Sequence, residues 1–141
     1  MPITFHKEEI EFDLPSELKI SEWLTNIAAE NKKSITQLSY IFCSDDYLLE
    51  INRTYLNHDD YTDIITFPYK QGHEIESDIF ISVDRVRENA KEYNTTFELE
   101  LLRVIAHGLL HLIGYGDKTE DTQLKMTEME DLCLLQWKNQ I

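Results

Sequence analysis

The most apolar run in the chain is LELLRVIAHGLLHLIG, Leu99 to Gly114. Glu100, Arg103 and two histidines interrupt it, so it is too short and too polar to span a bilayer. It reads as a helix buried in the core, around which the rest of the fold must be arranged. Its interior carries His107, Gly108 and His111, three residues that bring little to a core helix by packing alone.

His107 and His111 stand four residues apart. On a helix this puts them on one face, about 40° apart in azimuth and about 6 Å along the axis. Two imidazole nitrogens so placed can converge on one ion, at about 2.0–2.1 Å for zinc. Gly114 suits a left-handed helix end, Gly116 loosens the turn, and Asp117 can come back toward the same face. The pattern His-x-x-x-His-x-x-Gly-x-x-Asp therefore supplies three candidate metal ligands, His107, His111 and Asp117. Three ligands with a fourth position open is the arrangement of a catalytic zinc rather than a structural one, and one ion per chain is expected. The competing explanation is a pair of hydrogen-bonded core histidines followed by an Asp that is only a turn residue.

Gly108 bears on the chemistry. In zinc proteases with a His-Glu-x-x-His helix, the residue after the first histidine is the general base. Glycine cannot take a proton, and it costs about 1 kcal/mol of helix propensity relative to Ala. Its presence implies close packing, or a substrate passing beside the backbone, and disfavours peptide hydrolysis by the usual route. No catalytic residue is assigned from the sequence.

At 141 residues, 42% of them hydrophobic, the chain has the length of one domain, residues 1–141, with a sizeable core. Its 27 acidic and 13 basic residues leave a net charge of −14. Such a surface repels phosphate backbones and anionic membranes at long range, so a nucleic-acid partner must meet a local basic patch or a metal. Cys43 and Cys133 lie in apolar contexts and read as buried free thiols. The opening residues MPITFHKEEIEF lack the basic start and apolar run of a signal peptide, which points to the cytoplasm and away from a membrane.

Ile3 to Leu14 reads as one or two strands. A helix follows from Pro15 and Ser16 to about Asn31, with Leu18, Trp23, Leu24, Ile27 and Ala28 on its apolar face. Ser34 to Cys43 alternates as a strand does, and Ser44 can cap a helix to Leu56. Two β-branched runs, Thr62–Phe67 closed by Pro68 and Asp78–Val83, read as strands joined by the polar loop YKQGHEIES. Val83 to Tyr93 is helical. Thr95 and Glu98 form a capping-box pair ahead of the histidine helix, and Thr119 to Trp137 is a last amphipathic helix. The mixture without strict alternation predicts an α+β fold, a small mixed sheet packed against several helices.

HGLLHLIGYGD resembles the signature of the YbeY family of bacterial rRNA maturation factors, His-Gly-x-Leu-His-Leu-x-Gly-Tyr-Asp-His. INRTYLNHDDYTDIITFPY is similar to that family's Leu-Asn-x-x-Tyr-Arg-x-x-Asp-x-Pro-Thr-Asp-Val-Leu-Ser-Phe-Pro block, and SDIFIS to its Gly-Asp-Ile-x-Ile-Ser strand. The three blocks occur in the family's order, so the resemblance covers nearly the whole sequence. It implies one zinc on His107, His111 and residue 117. It also implies single-strand-specific endoribonuclease action that matures the 3′ end of small-subunit ribosomal RNA, with the precursor RNA and the small ribosomal subunit as partners in the cytoplasm.

Two departures from the family pattern carry weight, beside a smaller one, Tyr61 where the family has Pro before Thr-Asp. The family's third ligand is usually histidine, and here it is Asp117; a carboxylate is an acceptable zinc ligand. Its functional arginine aligns with Leu56, and Arg53, one turn earlier, either substitutes or is a solvated helix charge. Asp63 either orients a ligand or caps a strand, and Tyr115 either stacks on a base or closes the helix end. The rival functions are a zinc peptidase, on ligand spacing alone, and a non-catalytic ribosome-assembly factor with a zinc site.

Overall fold

The computed structural model describes residues 2–139. Four strands form one mixed sheet: β1 (Ile3–Glu8), β2 (Ser34–Cys43), β3 (Ile64–Gln71) and β4 (Glu74–Ser82), in the order β1-β2-β4-β3. β1 and β4 both run parallel to β2, and β3 runs antiparallel to β4. Five helices accompany it: α1 (Glu17–Glu30), α2 (Asp45–Leu56), α3 (Val83–Glu92), α4 (Phe97–Ile113) and α5 (Glu120–Asn139). This is the expected α+β architecture. No helix among the described residues is long and apolar enough to cross a membrane.

The pleat of the sheet sets its two faces. On β4, Ile75, Ile79 and Ile81 alternate into the main core, where α4 packs on β4 and α1 on the neighbouring β2. Phe80 points the other way and joins Cys43, Leu48 and Ile65 in a smaller cluster under α2. The centre of the main core is α4, buried from Glu100 to Leu112 on most of its circumference. It touches β3, β4, α1, α3 and α5. Two buried polar groups fasten the layers: Tyr40 Oη donates to the Ile105 carbonyl at 2.9 Å, and Trp23 Nε1 to the Cys133 carbonyl at 2.8 Å. Cys43 and Cys133 are free and buried as expected, and burial pushes both thiols up to about 12.

Four sequence expectations change. The polar segment after Pro68 is no loop: β3 and β4 extend through it as a hairpin turning at Gly72 and His73. Pro68 does not close β3, because β3 is an edge strand, where a missing N–H is tolerated, and the register shifts just past it. The helix cap is Thr96 rather than Thr95, its hydroxyl accepting from the Leu99 N–H at 3.2 Å. This moves the third helical position to Leu99 and undoes the pairing with Glu98. On α1 the inward residue is Ile20, while Leu18 is 63% exposed.

Candidate active site

α4 presents His107 and His111 with parallel rings, 3° between their planes and 6.5 Å between centroids. One turn later the helix stops at Gly114, whose φ of +129° an L side chain rarely adopts. The Gly114 N–H reaches the Leu110 and His111 carbonyls, and the Tyr115 N–H also reaches Leu110. The reversal brings Asp117 back to His107, with Nε2 and Oδ2 3.5 Å apart. Tyr115 closes this helix end against the core and donates from Oη to Asn31 Oδ1 at 3.2 Å, so its ring is a packing contact.

The other ring nitrogen of His107 faces α5. Nδ1 lies 2.7 Å from Oε2 of Glu130, and Oε1 of the same carboxylate accepts from Arg103 Nη1 at 2.9 Å. Arg103 Nη2 also donates to Asp131 at 2.6 Å. Burial alone would lower the His107 pKa; the hydrogen bond to Glu130, with the charges of Glu130, Asp117 and Asp63, outweighs it and moves the group upward.

These residues line a groove of about 1040 Å³ between α4, α5 and the start of β3. Asp63, Glu100, Asp117 and Glu130 all face it, with Arg103 among them. Burial raises the Asp63 pKa against the opposing charge of His107, and burial also raises that of Glu100 against Arg103. Asp63 accepts a hydrogen bond from Asn89 at 3.3 Å, and its carbonyl takes the Ser82 N–H at 2.9 Å. It therefore both ties β3 to the start of α3 and faces the groove.

Two of the three candidate ligands meet. Two donors held tetrahedrally at zinc distances are about 3.4 Å apart, and His107 Nε2 and Asp117 Oδ2 already stand at that spacing. His111 does not join them. Its Nδ1 is buried without a hydrogen-bond partner, a nitrogen still available to a cation, but its ring stacks beside that of His107 and does not line the groove. No group of three or more His, Cys, Asp or Glu side chains among the described residues is placed to hold one ion. Histidine nitrogens and a carboxylate are the donor types zinc accepts; in this structure only His107 and Asp117 of the three candidates meet.

Position 108 belongs to packing. A Cβ at Gly108 would come within 3.0 Å of Ile64 Cδ1 and 3.1 Å of Ile79 Cδ1, so the glycine lets α4 lie close on β3 and β4. Arg53 stands apart from the groove, paired on the surface with Glu50 and Asp59. This placement favours the solvated charge of the two readings, and Leu56 is 41% exposed. Sequence reasoning missed Glu130. The signal was an acidic residue on the buried stripe of α5, between Met126 and Cys133.

A mixed sheet under a histidine helix, with a groove lined by histidine and carboxylates, defines the class: an α+β protein with ionisable groups gathered in one groove. The family described as Endoribonuclease YbeY matches residues 2–138. The chain is 51% identical to the endoribonuclease YbeY of Cytophaga hutchinsonii over 133 residues, covering 94% of this chain and 93% of that one. It is 43% identical to that of Bacteroides thetaiotaomicron, covering 95% and 98%. A solution structure of a Thermotoga maritima protein, 30% identical, superimposes with a TM-score of 0.65 over 97% of this chain and 92% of that one. The chain belongs to the YbeY endoribonuclease family, and it is accordingly a hydrolase that cleaves RNA.

Proposed function

We propose that this chain is a zinc-dependent, single-strand-specific endoribonuclease that matures the 3′ end of small-subunit ribosomal RNA, with one zinc on His107, His111 and Asp117. The observation that carries the metal assignment is the 3.5 Å approach of His107 Nε2 to Asp117 Oδ2, the separation of two ligands sharing an ion. Electrostatics favours it as well. The groove is rich in carboxylates; of its two lining cations, Arg103 and Lys138, the arginine is engaged by Glu130 and Asp131, so an added cation would favour the entry of a phosphate. Zinc would supply that charge and Lewis acidity toward a phosphoryl oxygen.

The chain's own residues shape and hold the site. Gly114 sets the return of Asp117, and the sheet under Gly108 keeps α4 in place. The peptidase reading loses its footing at Gly108, where a general base would have to be buried between α4 and the isoleucines of β3 and β4. RNA brings an internal nucleophile, the 2′-hydroxyl, so cleavage has less need of a protein base at that position. The precursor ribosomal RNA on the small subunit, in the cytoplasm, is the proposed setting.

The test is to incubate the purified protein with a single-stranded RNA, a duplex RNA and an unstructured peptide, with and without a chelator and with zinc restored. Chelator-sensitive cleavage of the single-stranded RNA alone is the expected result. Zinc-dependent peptide hydrolysis with the RNA intact would reverse the assignment.

A further inference from the structure

We infer that Glu130 is a positioning residue for the metal site: by accepting the Nδ1 proton of His107, it selects the tautomer whose Nε2 is free to face Asp117. The inference rests on the zinc reading above and adds to it a residue from α5, outside the ligand motif.

Three features carry it. An ionised carboxylate only accepts hydrogen bonds, so the 2.7 Å contact between Glu130 Oε2 and His107 Nδ1 requires the proton on Nδ1. In the neutral ring the lone pair then sits on Nε2, the nitrogen 3.5 Å from Asp117. Second, the carboxylate cannot swing away. Its Oε1 is taken by Arg103 at 2.9 Å, and Arg103 is itself held by Asp131 at 2.6 Å. Third, Glu130 is only 8% exposed, on the same helical stripe as buried Met126 and Cys133. A carboxylate is expensive to bury unless it is paired, and its two partners are Arg103 and His107.

Glu130 is not placed as a ligand, since it meets the ring on the side away from Asp117. His111 has no equivalent. Its Nδ1 is buried without a partner, so nothing selects its tautomer. The two histidines are therefore unequal: Glu130 meets Nδ1 of His107, and Nδ1 of His111 has no such partner.

The experiment compares wild type with Glu130→Gln, using zinc itself as the probe. Long-range 1H–15N spectra of the metal-free proteins, above the histidine titration range, report the tautomers. Competition with a chromophoric chelator reports zinc affinity, and thermal melting of the metal-free proteins reports folding. The wild type should show His107 with its proton on Nδ1. Glu130→Gln should lose that preference and bind zinc about 10–100-fold more weakly, with the His111 signals unchanged. A purely structural clamp between α4 and α5 predicts a lower melting temperature with the His107 tautomer and zinc affinity unchanged, and that result would overturn the proposal. If Glu130→Gln does not fold, the wild-type spectrum decides alone: a proton on Nε2 of His107 refutes it. No zinc uptake by wild type overturns the metal reading and this proposal with it, whereas equal uptake by both proteins removes only the role of Glu130.

Discussion

His107 Nε2 and Asp117 Oδ2 lie 3.5 Å apart across the end of α4, although ten residues and a helix terminus separate them in the chain. The approach is that of two ligands sharing an ion and also that of an ion pair between the carboxylate and a protonated imidazole, and zinc affinity separates the two. On the shared-ion reading, Asp117→Ala should weaken zinc binding by at least about tenfold, while Asp117→His, the residue usual in the family pattern, should keep it. Competition titrations with a chelator measure both. Equal affinity of Asp117→Ala and wild type would return Asp117 to a turn role and place the third ligand elsewhere.

His111 is the proposed ligand that stands apart from His107 Nε2 and Asp117. If it turns to complete the site, His111→Ala and His107→Ala should each remove most of the metal found by elemental analysis. Unchanged zinc content in His111→Ala alone would mean that the buried, unpartnered Nδ1 has a different explanation.

Gly108 sits where α4 is closest to the sheet. Gly108→Ala gains about 1 kcal/mol of helix propensity but must push aside two isoleucine termini, and such overpacking typically costs about 1–3 kcal/mol. The net expectation is a loss of about 0–2 kcal/mol in urea unfolding. Gly108→Glu would bury an unpaired carboxylate and should lose at least about 3 kcal/mol. A Glu variant as stable as the Ala variant would show that the helix can lift from the sheet.

Glu100 is 6% exposed, and burial raises its pKa despite the opposing charge of Arg103. A carboxyl group whose folded pKa exceeds its unfolded one stabilises the fold only while protonated. That contribution is complete below the ordinary glutamate range and is lost as pH rises through the raised folded value. Glu100→Gln cannot ionise. Its melting temperature should match wild type in acid below the ordinary glutamate range and exceed it at neutral pH. A difference that shrinks as pH rises would contradict burial as the dominant cause.

Arg53 spends its charge on Glu50 and Asp59 at the surface. Arg53→Ala should leave RNA cleavage and RNA affinity unchanged in a filter-binding titration at fixed salt, since exposed pairs of this kind contribute little. A marked loss of affinity would show that Arg53 leaves its carboxylates to meet phosphate and stands in for the arginine absent at Leu56.

Much of this molecule is written in short-range pattern. Helical spacing marked α1 to α5, the four-residue interval put both histidines on one side of α4, and Gly114 marked the reversal, because each depends on neighbours within about one helical turn. The second half of edge-strand β3, past Pro68, and the start of β4 escaped notice for the same reason. Their residues are polar and half solvated, and only pairing across the hairpin makes them strands. The contacts that decide the site are longer in range. Glu130 is 23 residues from His107, so its carboxylate reaches Nδ1 only because α5 packs along α4. Likewise Gly108 declares itself a packing residue only once the isoleucines of β3 and β4 lie beneath it. The sequence by itself determined which donor atoms lie along one helix and where the chain turns, since backbone geometry repeats locally. Tertiary packing decided which nitrogen of His107 faces a carboxylate on each side, because that depends on how separate elements dock.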